Sequence, residues 1–302
     1  MERRTEIKGI ITPIVTPMHE DESINTAALR DLAVRQIENG VHALFCSGTN
    51  GEGFILDGAE KQQTLEAVVD AAGGRVPVYA GTGCISTKET IEQSKNAAAA
   101  GADALSIVTP SFAAATQDEI YDHYMAVARA VDIPIILYNI PFCTGNAIAP
   151  ATVARLQQNC PNIVGAKDSS GNFINTLQYI EATRERGAFG ILCGNDGLIL
   201  WTLCAGGAGC VTGSANIYPR TLASLYNCFI NGDTEKAREH QDSIRSLRDC
   251  FKYGTSTLVL KTAMRLLGYD VGNCRAPFNQ ISDEGVAAIK QVLKENADKG
   301  MS

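Results

Sequence analysis

Short continuous apolar runs alternate along the chain with longer segments in which apolar residues recur every three or four positions. Runs of four or five residues, rich in β-branched side chains, predict strands that are buried on both faces. The predicted strands span residues 9–13, 43–46, 76–80, 104–108, 135–138, 163–167, 189–193 and 210–212. The segments between them each carry one apolar face, which predicts helices.

Capping residues mark where several of these predicted helices begin. Asn25 precedes the first helix as an N-cap. Asp57, Ser86 and Thr116 are each followed three residues later by glutamate, which is the pattern of a capping box. Pro150 is suited to the first position of another helix. Strand and helix therefore alternate eight times, about every 30 residues.

Eight strand–helix alternations over roughly 230 residues have the size and rhythm of a (β/α)₈ TIM barrel. A doubly wound sheet has the same local pattern, but no GxGxxG motif opens the first helix. We therefore predict an α/β protein with a barrel domain at residues 1–230. Beyond it, residues 234–247, 256–267 and 283–296 predict three helices in a C-terminal region, 231–302. This region could cover the side of the barrel or mediate oligomer contacts.

Composition and charge limit the classes of partner and the cellular locations that we expect for this chain. The formal net charge is −7 and the pI about 5.2, so the chain lacks the basic surface of a nucleic-acid-binding protein. The ten cysteines form no CxxC pair, and Cys46 and Cys193 lie inside predicted strands as small apolar residues. Residues 1–4 lead into no apolar signal segment, and the longest apolar tract, 198–211, is too short to span a membrane. We expect a reduced, cytoplasmic protein with no nucleic-acid or membrane partner.

Lys167 stands where the sixth predicted strand runs out. Loss of hydration at a buried strand end disfavours the ammonium form of a lysine, and a neutral amine is a nucleophile toward carbonyl groups. Lys167 could therefore form a Schiff base. Taken alone, a lysine at this position more often extends to solvent at an ordinary turn between strand and helix.

Two further strand ends carry chemically useful groups. Strand two runs into Gly48-Thr49-Asn50-Gly51-Glu52, a turn whose backbone N–H groups and hydroxyl suit a carboxylate. Strand five ends at Tyr138, which offers a phenol. Each also has an ordinary structural explanation, as a glycine-rich turn or a core aromatic residue. Together with Lys167 they supply the nucleophile, the acid/base and the anion site that covalent catalysis on a 2-keto acid requires.

The order of these motifs resembles the dihydrodipicolinate synthase/N-acetylneuraminate lyase family, the Schiff-base aldolases that use pyruvate. The resemblance covers nearly the whole chain and rests on residues 9–13 (GIITP), 49–52 (TNGE), 138–141 (YNIP), 165–168 (GAKD), 194–196 (GND) and 214–216 (SAN).

The resemblance implies a (β/α)₈ barrel that assembles as a homotetramer, a dimer of dimers. It implies that Lys167 forms an imine with the C2 carbonyl of pyruvate and that Tyr138 transfers protons. Thr49 and Asn50 would hold the pyruvate carboxylate through hydroxyl and backbone groups, and Val211 would pack against the bound keto acid. No metal or organic cofactor is implied.

Three departures from the synthase pattern bear on the substrate. Synthases have an arginine that binds the carboxylate of the aldehyde substrate at the position of Cys143, and cysteine cannot replace a bidentate guanidinium. They have threonine at the position of Asn50. They also have a tyrosine, reaching into the neighbouring subunit's site, at the position of Phe112, which can neither donate nor accept a proton.

We therefore predict an aldolase or lyase that acts on a 2-keto-3-deoxy sugar acid or a related keto acid, giving pyruvate and an aldehyde. The alternatives are 4-hydroxy-tetrahydrodipicolinate synthase, which condenses pyruvate with aspartate semialdehyde, a dehydratase that shares the imine, and a non-catalytic keto-acid-binding protein. Ser169 and Asp196 are candidates for binding substrate hydroxyls. The predicted catalytic residues are Lys167, Tyr138 and Thr49, and the predicted substrate-binding residues are Gly48, Thr49, Asn50, Phe112, Cys143, Ser169, Asp196 and Val211.

Overall fold

The structure, a computed structural model, describes residues 6–302 and all of their side chains except that of Arg186. Residues 1–5, on which the expectation of no signal peptide rests, lie outside the described residues. No helix among the described residues has both the length and the apolar character needed to cross a membrane.

Eight parallel strands form a closed barrel in sequence order, as predicted. The strands are β1 (Gly9–Pro13), β2 (Ala43–Cys46), β3 (Val78–Gly81), β4 (Ala104–Val108), β5 (Ile135–Asn139), β6 (Ile163–Asp168), β7 (Gly190–Cys193) and β8 (Gly209–Val211). Almost every strand residue is buried, which is why most of each strand appears in the sequence as an apolar run. The fold is a (β/α)₈ TIM barrel followed by C-terminal helices.

Thirteen α-helices occur among the described residues. They are α1 (Thr26–Glu38), α2 (Gly58–Ala72), α3 (Thr87–Ala99), α4 (Gln117–Ala130), α5 (Pro141–Thr144), α6 (Pro150–Asn159), α7 (Phe173–Thr183), α8 (Ile199–Cys204), α9 (Pro219–Ile230), α10 (Thr234–Ser243), α11 (Arg245–Asp249), α12 (Ser256–Leu266) and α13 (Asp283–Asp298). The predicted capping boxes at Asp57 and Thr116 are both formed, whereas Ser86 caps α3 without a reciprocal bond from Glu89. Short 3₁₀ helices lie at Arg184–Arg186, Asp196–Leu198, Gly213–Asn216 and Cys250–Tyr253.

The chain divides by contact density into two compact units. The first comprises the described residues up to Lys8 and Pro77–Val211, and so contains β3 to β8 with α3 to α8. Its core is built from strand residues such as Leu105, Ile107 and Leu137, none of which is exposed. Adjacent strands pair in parallel register, and the β5–β6 pairing brings Tyr138 opposite Lys167.

The second unit comprises Gly9–Val76 and Thr212–Ser302. It contains β1, β2, α1, α2 and every helix from α9 onward. Its fully buried residues come from both parts of the chain and include Ile10, Leu29, Leu44, Leu222 and Val259. The division of the chain at residue 230 stays a prediction.

The C-terminal region differs from its prediction in one respect. The predicted helix at 234–247 is two helices, α10 and α11, which meet at Ile244. Ile244 is fully buried, so the break between the two helices falls at a residue that packs in the core. The helices predicted at 256–267 and 283–296 are present as α12 and α13.

Candidate active site

Lys167 and Tyr138 face each other at the ends of two adjacent strands. They are register partners in the β5–β6 ladder, and the Lys167 Nζ lies 3.8 Å from the centroid of the Tyr138 ring. Each side chain is only 4% exposed. The face of an aromatic ring attracts a cationic nitrogen, and burial shields this pair from bulk water. The structure therefore brings together the predicted nucleophile and the predicted proton-transfer group.

A hydrogen-bonded pair of polar residues stands one position beyond this reactive pair. Asn139 follows Tyr138 and Asp168 follows Lys167; the Asn139 Nδ2 donates to the Asp168 Oδ1 at 2.9 Å. The Asn139 Oδ1 in turn accepts from the backbone N–H of Ile148 at 3.0 Å. We call the Asn139–Asp168 pair the strand-end latch, because it ties the ends of β5 and β6 together beside the reactive residues.

The buried Asp168 carboxylate is fully occupied by donors. Besides Asn139, its Oδ1 accepts from the N–H of Ser170 at 3.0 Å, and its Oδ2 accepts from Asn175 Nδ2 and Thr176 Oγ1 at 3.0 and 2.8 Å. Asn175 and Thr176 belong to the first turn of α7. The latch thus fixes β6 to its following helix as well as to β5, and buries a carboxylate without leaving an acceptor unused.

Gly194 leaves the room that Lys167 and Ser169 occupy. A Cβ at position 194 would lie 1.9 Å from the Ser169 Oγ and 3.0 Å from the Lys167 Cε. Both contacts are shorter than van der Waals distances, so only glycine fits at the end of β7 without displacing these side chains. Ser169 is 8% exposed, and its role in binding substrate hydroxyls stays a prediction.

Asp196 and Val211 lie at the ends of the next two strands. Asp196 begins the 3₁₀ helix after β7 and is 5% exposed, and Val211 is the last residue of β8. Burial raises the pKa of the Cys210 thiol; a hydrogen bond with Cys193 and the charge of Asp196 add to this effect, and the charge of Lys167 opposes it. Asp196 and Lys167 therefore share the electrostatic neighbourhood of Cys210.

Cys143 and Phe112 are placed differently from each other. Cys143, in the short helix α5, is near enough to Lys167 that the lysine charge opposes the rise in its thiol pKa that burial produces. Phe112 is 98% exposed at a φ of 79° in the loop after β4. A side chain this exposed packs against nothing within the described part of the chain, so a role for Phe112 in substrate binding stays a prediction.

In the second unit, Gly48, Thr49 and Asn50 lie in a tight loop between β2 and α2. We call residues 47–53 the β2 loop. The N–H of Glu52 donates to the carbonyl of Thr49, and the N–H of Gly53 to that of Gly48, at 3.1 and 3.0 Å. Thr49 and Asn50 are half-buried, and Gly48 packs so closely on Phe45 that a Cβ would lie 2.6 Å from the ring. The loop is thus compact, with two polar side chains partly accessible.

The Asn139–Asp168 latch and the residues of α12 that contact the β2 loop were not predicted from the sequence. The latch has a local signal, since Asn139 and Asp168 each follow a predicted reactive residue at the same strand end. The α12 contacts have none, because Ser256 lies 206 positions from Asn50. Among residues 6–302, no group of three His, Cys, Asp or Glu side chains is arranged to hold a metal ion.

Comparison with known proteins agrees with this architecture. The model of the dihydrodipicolinate synthetase family matches residues 6–296. A 4-hydroxy-tetrahydrodipicolinate synthase of Thermoanaerobacter sp. (strain X514) is 37% identical, over 95% of this chain and 96% of the relative. An uncharacterized DapA-like lyase of Halobacterium salinarum is 36% identical, over 98% of this chain and 95% of the relative.

Among solved structures, a prophage protein of E. coli K12 belonging to the dihydrodipicolinic acid synthase family, crystallised with pyruvate, superposes with a TM-score of 0.93. It is 29% identical, over 96% of this chain and 99% of that protein. Fold, buried lysine and relatives together define the class of the protein, a lyase of the class I aldolase type. The chain belongs to the dihydrodipicolinate synthetase family, whose members are pyruvate-dependent aldolases that differ in substrate.

Proposed function

We propose that the protein is an aldolase that cleaves a 2-keto-3-deoxy sugar acid, or a similar hydroxylated keto acid, to pyruvate and an aldehyde. The observation that carries the proposal is the buried pair of Lys167 and Tyr138, with the Lys167 Nζ 3.8 Å from the phenol ring centroid, beside a cysteine instead of an arginine at position 143.

The proposed reaction begins with addition of the Lys167 amine to the C2 carbonyl and loss of water to form the imine. Tyr138 removes the proton of the C4 hydroxyl, the C3–C4 bond breaks, and the aldehyde leaves. The electron pair of that bond moves toward the imine nitrogen and gives an enamine. Tyr138 returns the proton to C3, and hydrolysis of the imine releases pyruvate and restores the lysine.

The proposed substrate carries one carboxylate and several hydroxyls. In the proposal, Thr49 and Asn50 bind the carboxylate of the keto acid, with Gly48 supplying the close turn, and Val211 contacts its carbon chain. Ser169 and the buried Asp196 offer hydrogen bonds to hydroxyl groups. At position 143 a thiol cannot neutralise a second carboxylate, which the product of aspartate semialdehyde would carry.

The second candidate is 4-hydroxy-tetrahydrodipicolinate synthase, the name borne by the relative from Thermoanaerobacter. The 37% identity with that protein favours synthase activity. Three residues argue against that activity, namely Cys143, Asn50 and Phe112. A dehydratase would share the imine but would release water from the substrate and leave its carbon chain intact. Non-catalytic keto-acid binding is the outcome expected if pyruvate binds without forming an imine.

The test combines covalent trapping with a substrate panel. Borohydride with pyruvate should reduce the imine to a stable adduct on Lys167, located by peptide mass mapping and absent from Lys167→Ala. Sugar acids that yield pyruvate and an aldehyde would support the aldolase. Condensation of pyruvate with aspartate semialdehyde that is faster than cleavage of every sugar acid would replace it with the synthase.

The homotetramer and the cytoplasmic location stay predictions. Sedimentation equilibrium over a range of protein concentrations measures the number of chains in the assembly. A tetramer would agree with the resemblance to the family, and a stable monomer would contradict it.

A further inference from the structure

The first two turns of α12 contact the β2 loop at three points. The Ser256 Oγ donates to the Asn50 Oδ1 at 2.7 Å, and the Thr257 Oγ1 donates to the backbone carbonyl of Thr49 at 3.1 Å. One turn further along, the Lys261 Nζ forms an ion pair with Glu52 at 2.6 Å. Helix α12 therefore meets the side chain of Asn50, the backbone of Thr49 and the far end of the loop.

The contacts of Asn50 determine which way its amide group faces. Because its oxygen accepts from Ser256, its NH₂ group is the edge that remains to donate to another acceptor. That nitrogen lies 2.6 Å from the point that a Cβ on residue 213 would occupy. Gly213 therefore leaves the space into which the amide nitrogen extends, and Ser256 holds the opposite edge of the amide.

The β2 loop is held in a backbone conformation that needs support from outside. Ser47 and Glu52 both have positive φ, 54° and 57°, at positions that are not glycine. Such conformations cost on the order of 1–3 kcal/mol each and persist where surrounding contacts fix them. Glu52 is anchored by Lys261, which is 1% exposed, and by the backbone N–H of Arg275, which donates to its Oε2 at 2.8 Å.

We propose that Ser256 is a positioning residue of the keto-acid site, and that α12 thereby holds the carboxylate-binding amide of Asn50 in place. The proposal rests on the proposed function, which assigns the substrate carboxylate to Thr49 and Asn50. In it, Ser256 keeps the amide of Asn50 turned so that the NH₂ group donates to the carboxylate. The C-terminal region thereby takes part in substrate binding, in addition to burying the surface of its own unit.

The test measures how adduct formation on Lys167 depends on pyruvate concentration. In Ser256→Ala the Asn50 amide is free to turn, so the half-saturating pyruvate concentration should rise about 10-fold, the loss of one hydrogen bond. The limiting rate of trapping should change less than about 2-fold, because the lysine itself is untouched. Ser256→Thr keeps the hydroxyl and should restore half-saturation to within about 3-fold of the parent.

Two further variants separate positioning from general destabilisation. Ser282→Ala removes the N-cap of α13, a comparable serine hydroxyl in the same region that bonds the N–H of Gly285, and should leave half-saturation unchanged. Asn50→Ala and the double variant Asn50→Ala/Ser256→Ala should show the same half-saturation, because Ser256 acts through Asn50.

The outcomes distinguish the two proposals. If the parent protein forms no pyruvate adduct, the proposed function fails, and the role of α12 in binding fails with it. In a second outcome, the parent forms the adduct while Ser256→Ala saturates at the same pyruvate concentration, or the effects of the two substitutions on half-saturation add in the double variant. Either result refutes the positioning role of Ser256 and leaves the proposed function intact. A selective rise in half-saturation that threonine reverses would establish it.

Discussion

The strand-end latch allows a quantitative prediction for Asp168→Asn. The carboxylate accepts four hydrogen bonds, from Asn139, Ser170, Asn175 and Thr176, at 2.8–3.0 Å. The substitution keeps the size of the side chain and replaces one oxygen by an NH₂ group. It therefore tests the hydrogen bonds without opening a cavity.

The new amide can adopt only one orientation without opposing fixed donors. The N–H of Ser170 is a fixed donor, and the Asn139 amide cannot turn without losing its bond from Ile148. The NH₂ group must therefore face Asn175 and Thr176. The remaining hydrogen bonds are then no longer made to a charged group, and the side that faces Asn175 and Thr176 has lost an acceptor. We expect these losses to lower the free energy of unfolding by about 2–4 kcal/mol.

The free energy of unfolding is measured by urea denaturation of the parent, Asp168→Asn and a control, Asp103→Asn. Asp103 accepts one backbone bond, from Val78, which an asparagine oxygen can also accept, so the control should lose less than about 1 kcal/mol. Trapping of pyruvate on Lys167 should slow by about 10-fold in Asp168→Asn, because the side-chain contacts of the latch hold the ends of β5 and β6 less firmly beside the reactive residues. Parent-like stability and trapping in Asp168→Asn would refute a structural role for the latch.

Three other substitutions test the same structure. Lys261→Met leaves the buried Glu52 charge without its ion-pair partner and should lower the free energy of unfolding, measured by urea denaturation, by about 3–5 kcal/mol. Adding Glu52→Gln removes that charge and should recover most of the loss. A double variant as unstable as Lys261→Met would contradict the ion-pair explanation. Gly194→Ala should reduce pyruvate trapping on Lys167 by at least about 10-fold, because the new methyl group overlaps Ser169, and a normal trapping rate would show that the site has room. Burial lowers the pKa of His123 from 6.5 to about 4. Below pH 6.5 the unfolded chain therefore binds a proton that the folded chain does not. The free energy of unfolding should fall by up to about 3 kcal/mol as the pH drops to 4. His123→Phe should flatten that slope in pH-dependent urea denaturation, and an unchanged slope would assign it to other groups.

The barrel was predictable because its signals are local. Each strand is buried on both faces, so an apolar run marks it, and caps such as Thr116 with Glu119 mark the helices. The bounds shift where a strand end is buried by other contacts: β5 continues through Asn139, a polar residue that the apolar pattern excludes but that the latch buries. Helix α5 was missed because four residues beginning at Pro141 carry no periodicity.

The candidate site was predictable where chemistry and strand end coincide in sequence, as at Lys167 and Tyr138. It was not predictable where partners come from distant segments. The orientation of Asn50 depends on Ser256, and the space around Ser169 depends on Gly194, a residue that served only as part of a motif. The exposure of Phe112 likewise follows from a loop conformation that no local pattern specifies.

The contacts of the β2 loop also constrain the order in which the protein can fold during its synthesis. Asn50, Thr49 and Glu52 find their hydrogen-bonding partners 206, 208 and 223 residues further along the chain. While the ribosome is still making the barrel strands, these three distant partners do not yet exist, and closing so long a connection is an inherently slow step. The β2 loop therefore acquires its contacts with α12 only near the end of synthesis, and a chain truncated before α12 lacks them.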